Sequence, residues 1–247
     1  MYDRITKRKK FEALLEKATN DKRVVGLVVT GARSKGIFTK HSDYDIILIG
    51  KNSTISQIRR EYKGEKGILD IRIRSLSEFR KHADMGGPEE WDRYTFEHAK
   101  AQLDKTGEIQ KLVDEKGVLP KKNILPVAKN ALDGYLNMLH RSLKNHRDGN
   151  LFASRFDASE SLQWLLTFLF AIEGRIRPYN KLLQWELERY PIRKFPMGSE
   201  KLLKKLDAVL KTGSITNQKE IYKIVFKLAL KNKCKDIIKG WDGYYFG

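Results

Sequence analysis

The chain has 247 residues, 40% of them hydrophobic and 32% charged, a length that suits one large domain or two modest ones. Its formal net charge of +18 favours polyanionic partners such as nucleotides and nucleic acid, although a lysine-rich surface that aids solubility also explains this charge. No apolar run reaches the roughly 20 residues of a membrane helix, the charged N-terminus lacks a secretory signal, and a single cysteine cannot form an internal disulfide, so we expect a cytoplasmic protein without membrane contact.

The first part of the chain mixes helical and strand patterns. Helical segments place apolar residues three and four positions apart, whereas the strands are short runs rich in β-branched residues. Ser75 and Glu78 have the spacing of a capping box, which marks a helix start. These patterns predict helices over residues 9–20, 53–62 and 75–81, and strands over residues 24–30, 45–49 and 68–73.

The pattern changes after the Gly- and Pro-containing segment 85–88, which is typical of a break in regular structure. From Glu89 onward the apolar spacing is almost entirely helical. We therefore expect an α+β protein. Residues 1–87 would form a domain with a small mixed β-sheet flanked by helices, and residues 88–247 an all-α helical bundle. The predicted helices of the bundle cover residues 124–143, 159–172, 182–189, 200–210 and 220–238.

Two carboxylates, Asp43 and Asp45, open the second predicted strand. Side chains two positions apart in a strand point to the same side, so both would face one direction. Like charges at such proximity repel unless a cation lies between them, and Mg²⁺ prefers carboxylate and phosphate oxygens. The same Asp-x-Asp spacing also occurs in turns and helix caps, which is the alternative interpretation.

Asp70 is a third candidate ligand, since it interrupts an apolar strand between Leu69 and Ile71, where a carboxylate needs a partner. If this strand lies beside the strand of Asp45, three carboxylates converge and two metal ions could bind between them. Alternatively, Asp70 is an edge-strand acid that faces water.

Gly31 follows the first predicted strand and begins a turn. Without a Cβ atom, such a turn lets the backbone approach a phosphate, and its successive N–H groups form an anion site. Arg33, Ser34 and Lys35 would add a hydroxyl and cationic groups to these phosphate contacts.

Taken together, this segment resembles the signature of the nucleotidyltransferase superfamily that includes DNA polymerase β, CCA-adding enzymes and aminoglycoside nucleotidyltransferases. The signature is a glycine followed by glycine or serine, a loop of about ten residues, and Asp-apolar-Asp. Here it consists of Thr30-Gly31-Ala32 and Asp43-Tyr44-Asp45-Ile46. Ala32 replaces the usual serine, so one hydroxyl that would contact phosphate is missing.

The resemblance covers about the first 85 residues and implies a catalytic domain in which Asp43, Asp45 and Asp70 bind Mg²⁺, with two ions expected. It implies transfer of a nucleoside monophosphate from a nucleoside triphosphate, ATP being the expected donor, to an acceptor hydroxyl with release of pyrophosphate. Residues 171–191 are similar to the helical domain of bacterial antibiotic nucleotidyltransferases, which closes over the nucleotide and supplies the acceptor site. Lys181 is then a candidate triphosphate contact, or else an ordinary exposed lysine.

The general base has two candidates, Asp70 and Glu160. Glu160 and Asp157 lie at the predicted start of the most apolar helix, so they could instead interact favourably with a helix N-terminus.

Three functions remain in competition. The first is modification of a small molecule such as an antibiotic, and the second is nucleotidyl transfer to RNA or to a partner protein, as in toxin–antitoxin pairs. The third is a non-catalytic nucleotide-binding module. The charge of +18 favours a polyanionic acceptor over a cationic aminoglycoside. The sequence leaves the oligomeric state open, a homodimer included, and the aromatic segment 241–246 could contact either the protein itself or a partner.

Overall fold

A computed structural model describes residues 4–244 and residue 246, and the chain divides into two compact units, Met1–Val118 and Leu119–Gly247. The first unit contains a four-stranded sheet with helices on both faces, and the second is helical. The predicted α+β class is therefore confirmed. Among the described residues, no helix is both long and apolar enough to span a membrane.

The sheet has the strand order β3-β2-β1-β4. Strand β1 runs antiparallel to both β2 and β4, whereas β2 and β3 are parallel, so the sheet is mixed as predicted. The strands are β1 (Val24–Thr30), β2 (Tyr44–Gly50), β3 (Leu69–Ser75) and β4 (Lys100–Asp104).

Each face of the sheet carries its own apolar core. One face packs against α1 and α3 through buried side chains such as Leu14 and Ile58, and the other packs against α4 and α5 through Phe79 and Ile109. This alternation follows from the side-chain period of two along each strand. The helices of this unit are α1 (Arg4–Asn20), the single turn α2 (Gly31–Ser34), α3 (Ile55–Glu61), α4 (Leu76–Lys81) and α5 (Ile109–Lys116).

The elements predicted before residue 85 are present within a few residues of their expected bounds. The capping box is also confirmed, because the Ser75 hydroxyl accepts a hydrogen bond from the Glu78 backbone N–H while the Glu78 carboxylate accepts one from the Ser75 N–H. Capping of this kind satisfies backbone donors that the first helical turn leaves without partners.

The two compact units meet after Val118, whereas the sequence led us to expect a domain boundary after Gly87. Residues 90–96 form a 3-10 helix, β4 pairs with β1, and α5 covers the sheet, so all three belong to the first unit. The sequence of β4, KAQLD, has neither a β-branched nor an aromatic residue and lies at an edge of the sheet. Its extended conformation depends on pairing with β1, and local propensity does not reveal that pairing.

In the helical unit, α6 and α7 pack along each other closely enough that a Cβ atom on Gly134 would lie 2.5 Å from the Trp164 ring. Helix α9 packs against α7, α8 and α10, and α11 packs against α6 and α10. The helices of this unit are α6 (Lys121–Arg147), α7 (Leu151–Ile172), α8 (Asn180–Arg189), α9 (Ser199–Thr212), α10 (Ile215–Lys231) and α11 (Lys235–Gly240).

Two predicted helix bounds in this unit are wrong. Helix α7 begins at Leu151 rather than Ser159, because the Asn150 side chain caps it by accepting a hydrogen bond from the Ala153 N–H. The predicted helix 220–238 is two helices, α10 and α11. They are separated by Lys233 in the left-handed backbone conformation, which ends a helix.

The aromatic C-terminal segment packs on the helical unit. The Trp241 indole N–H donates to Asp133 Oδ1 at 2.7 Å, and the Phe246 ring stacks on Tyr222 with 4.8 Å between centroids. Tyr244 meets His140 edge to face. The segment therefore contacts α6 and α10 of its own chain, while Tyr245 lies outside the described residues.

We predict that a fragment of residues 1–118 folds cooperatively and that a fragment of residues 1–87 does not. The shorter fragment lacks β4 and α5, so Val25 and Val28, which pack against Ile109 and Val113, would become exposed to water. Urea unfolding followed by circular dichroism measures the difference. Equal cooperativity and midpoint in both fragments would contradict the assignment of residues 88–118 to the first unit.

Candidate active site

Asp45 and Asp70 are direct register partners in the parallel pair β2–β3. Partners in adjacent strands project to the same face, and neighbouring strands lie about 4.8 Å apart, so the two carboxylates extend from neighbouring points of one surface. This is the face that carries Ile47 and Ile49 and packs against α4 and α5 farther along the strands. Asp45 is half-buried, and Asp70 is exposed.

Gly31 lies directly against the Asp45 carboxylate. A Cβ atom built on Gly31 would be 2.1 Å from Asp45 Oδ2, a distance that no side chain could tolerate, and the residue has a φ of +65° that favours glycine. The end of β1 thus holds Asp45 beside the turn α2, since Thr30 and Asp45 are also register partners. A bare α-carbon is what permits this close approach.

Asp43 immediately precedes β2, and its backbone is held by Arg33. The Arg33 guanidinium donates from Nε to the Asp43 carbonyl oxygen at 2.8 Å and from Nη2 to the Ser42 carbonyl oxygen at 2.9 Å. It also lies 3.8 Å from the centroid of the Tyr44 ring and 4.6 Å from that of Phe38. Arg33 therefore fixes the loop that presents Asp43, a structural role that the sequence did not indicate.

The side chains of Lys35 and Ser34, two other predicted phosphate contacts, form hydrogen bonds to backbone carbonyl oxygens. The Lys35 side chain is buried and donates to the Glu97 carbonyl oxygen at 2.8 Å, with its ammonium 4.8 Å from the Tyr94 ring centroid. The Ser34 hydroxyl donates to the Gly31 carbonyl oxygen at 2.9 Å. Ala32 is half-buried in the same turn. These contacts stabilise the turn. Phosphate binding by these residues stays a prediction.

The sequence did not reveal a cluster beside Asp70 that consists of Arg72 and the buried residues His82 and Asp92. Arg72 follows Asp70 on the same face of β3, and its Nη1 donates to Asp92 Oδ2 at 2.7 Å. His82 Nε2 lies 3.1 Å from the same oxygen, and both His82 and Asp92 are almost completely buried. The charged residues Asp70 and Arg72, two positions apart in an otherwise apolar strand, were the sequence feature that could have indicated this cluster.

Burial by itself would raise the pKa of the Asp92 carboxyl, but the contact with His82 and the charge of Arg72 outweigh it and lower that pKa to about 2. Asp92 thus remains ionised at neutral pH inside the protein. The consequence is a cationic Arg72 held in place next to the carboxylate pair.

Glu160 and Lys181 belong to the helical unit. Glu160 is half-buried in α7, which begins at Leu151, so it lies well inside the helix and not at its N-terminus as predicted. Asp157, one turn earlier, accepts a hydrogen bond from Asn145 Nδ2 at 2.7 Å. Lys181 is exposed near the start of α8. The predicted roles of Glu160 as base and Lys181 as triphosphate contact remain predictions.

Comparison with known proteins gives a distant structural neighbour. The sequence matches no protein-family model and no curated protein. A solved structure similar to this chain is that of a nucleotidyltransferase-like protein from Exiguobacterium sibiricum 255-15, with a TM-score of 0.43 and 11% sequence identity. The similarity covers 96% of this chain and 75% of that one.

We predict that Gly31→Ala displaces the Asp45 carboxylate, whereas Gly36→Ala does not. Both glycines have positive φ, +65° and +72°, so both substitutions strain the backbone to a similar degree. Only the Gly31 Cβ meets a neighbour within 4 Å, because the space around Gly36 is open. Crystal structures of the two variants measure the position of Asp45, and an unmoved carboxylate in Gly31→Ala would contradict this account.

A second prediction concerns the pH dependence of stability. Because the pKa of Asp92 is below its ordinary value, the ionised carboxylate stabilises the fold above about pH 4, and this contribution is lost as the pH falls towards 2. Asp92→Asn should lower the free energy of unfolding by about 2 kcal/mol at pH 7, since it removes the charged partner of the half-buried Arg72.

Urea unfolding between pH 7 and pH 2.5 measures this difference. The gap between wild type and Asp92→Asn should narrow below pH 4, whereas the exposed control Asp114→Asn should show no gap at any pH. A gap that stays constant down to pH 2.5 would rule out the ionised Asp92 as its source.

Proposed function

We propose that the protein is a Mg²⁺-dependent nucleotidyltransferase that transfers a nucleoside monophosphate from a nucleoside triphosphate, preferably ATP, to an acceptor hydroxyl and releases pyrophosphate. The observation that carries this proposal is the position of Asp45. Its carboxylate lies against the bare α-carbon of Gly31 and in register with Asp70. A structural position that only glycine can occupy, beside two aligned carboxylates, suits a site built for a cation and a phosphate chain.

The oxygen atoms of these side chains fit divalent cations: Asp45 and Asp70 are register partners on one face of the sheet, and Asp43 lies two positions before Asp45 in the chain. Asp43, Asp45 and Asp70 offer only oxygen ligands, the donor type that Mg²⁺ prefers, and the exposed Asp70 keeps the surface open to a ligand. Mutual repulsion of the carboxylates would be relieved by bound cations. When bound, the ions would supply stabilisation of negative charge on the triphosphate and on the leaving pyrophosphate.

The reaction forms a bond between the acceptor oxygen and the α-phosphorus and breaks the bond from that phosphorus to the pyrophosphate oxygen. Asp70 or Glu160 would accept the proton of the acceptor hydroxyl. Arg72, held by Asp92, would offer its positive charge to the phosphate oxygens as negative charge develops there. The backbone of Gly31 and Ala32 would approach the phosphates at the end of β1.

Two acceptor classes fit this chemistry: a small molecule such as an antibiotic, and RNA or a partner protein. Salt separates them, because binding of RNA weakens steeply as salt releases its counterions, whereas modification of a small molecule depends on salt much less. A non-catalytic nucleotide-binding module would bind the triphosphate without any transfer.

The proposal is tested with α-labelled nucleoside triphosphates, Mg²⁺ and acceptors that span aminoglycosides, lincosamides, tRNA and cell lysate. Asp45→Asn should reduce label transfer by at least about 100-fold, since even the outer partners of metal ligands are worth 10–100-fold. The control Asp114→Asn, an identical change at an exposed position of α5, should retain activity. Transfer that is unaffected by Asp45→Asn or by removal of Mg²⁺ would refute the proposed function.

A further inference from the structure

A cavity of about 330 Å³ lies on the face of the sheet that packs against α1, opposite to the face of Asp45. Its floor includes Phe11, Val29 and Tyr44, and the rings of Phe11 and Tyr44 stack in parallel with 4.4 Å between centroids. Ligand sites are typically concave, apolar spaces of at least about 300 Å³ with a few polar groups. Because the Arg33 guanidinium covers the other face of Tyr44, a flat, weakly polar ligand would contact the floor at Phe11 and Val29.

The rim of this cavity is basic. Arg33 and Lys100 both line it, and none of the described residues that line it carries a carboxylate. The two hydrogen bonds from Arg33 Nε and Nη2 to loop carbonyls do not use its Nη1 amino group. Lys100 is exposed and lies across from Val29 in the β1–β4 pairing. Two cations without a carboxylate favour an anionic group, phosphate above all.

The same rim carries two further hydrogen-bonding side chains, His98 and Gln102, and His98 Nε2 lies 3.8 Å from Glu97 Oε1. His98 lines the cavity with a φ of +66°, a left-handed conformation that is costly for a residue other than glycine and that often marks a functional position. Gln102 also lines the cavity, and its Nε2 donates a hydrogen bond to the Lys100 carbonyl oxygen at 3.2 Å. Its amide has a second N–H group and an acceptor oxygen. An imidazole and an amide provide the hydrogen-bonding partners that the edge of a nucleobase requires.

We infer that this cavity binds a nucleoside monophosphate unit, with its phosphate at Arg33 and Lys100 and its base over the apolar floor beside His98 and Gln102. The unit is either a free nucleotide or one residue of a single-stranded nucleic acid, and the net charge of +18 attracts both. The cavity and Asp45 lie on opposite faces of the sheet, and the turn Gly31–Ser34 contributes to both places, because Arg33 and Ser34 line the cavity. Binding in the cavity uses neither Asp45 nor Mg²⁺, so it does not depend on nucleotidyl transfer.

Calorimetric titrations in EDTA measure binding to the cavity without Mg²⁺. An absence of binding in these titrations is therefore a separate result from an absence of nucleotidyl transfer. The ligands are AMP, adenosine and inorganic phosphate, and anisotropy of labelled oligoadenylate and of a glutamate-rich peptide is measured in parallel. Lys100→Glu and Gln102→Glu place negative charge on the rim. Lys111→Glu is the matched control, since Lys111 is exposed on α5 at the other face of the sheet.

We expect AMP to bind more tightly than adenosine or phosphate. Each rim variant should lower the affinity for AMP by about tenfold, which is the effect of losing one charge-assisted contact. Lys111→Glu should change the affinity little. If oligoadenylate binds more tightly than AMP, the natural ligand is a single-stranded nucleic acid. If the two bind equally, the natural ligand is a free nucleotide. Absence of saturable AMP binding, an equal loss in Lys111→Glu, or equal affinity for the glutamate-rich peptide would overturn the inference.

Discussion

The Asp45 carboxylate packs against the α-carbon of Gly31, and the geometry of the candidate site depends on this contact. It requires a residue without a Cβ atom at the end of β1, because a Cβ there would lie 2.1 Å from the carboxylate oxygen. The parallel pairing of β2 and β3 then brings Asp70 alongside Asp45. Backbone conformation, strand register and carboxylate chemistry thus act at one point on the sheet. The proposed metal and phosphate chemistry follows from that placement.

Several positive groups of this basic chain stabilise the structure from within. Arg33 holds the carbonyl oxygens before β2, Lys35 holds the Glu97 carbonyl oxygen, and Arg72 pairs with the buried Asp92. Lys35 is buried, and Arg33 and Arg72 are half-buried, so each needs hydrogen-bonding partners that offset its loss of contact with water. A net charge alone therefore says little about which lysines and arginines meet a ligand. Arg72 at the proposed active site and Arg33 at the cavity on the face that packs against α1 are proposed to contact a ligand in addition to stabilising the fold.

The sequence was sufficient to predict the elements whose residues specify them locally. The β-branched run of β1 and the capping box at Ser75 are examples, since propensity and capping act over a few residues. Strand β4 could not be predicted, because its polar sequence is extended only through pairing with β1. The Arg72–Asp92 pair spans 20 positions in the chain and joins two elements, so no local pattern reveals it. The sequence predicted that Asp45 and Asp70 are close only if their strands are adjacent, and the sequence did not determine whether they are.

A direct test of the central claim is the location of a divalent cation. Crystals soaked in Mn²⁺ with a non-hydrolysable ATP analogue would give an anomalous difference map in which the metal is seen independently of the surrounding atoms. We expect a peak within coordinating distance, about 2.0–2.2 Å, of oxygens from both Asp45 and Asp70. A map at saturating Mn²⁺ with no peak between these carboxylates, or with the ion bound elsewhere, would contradict it.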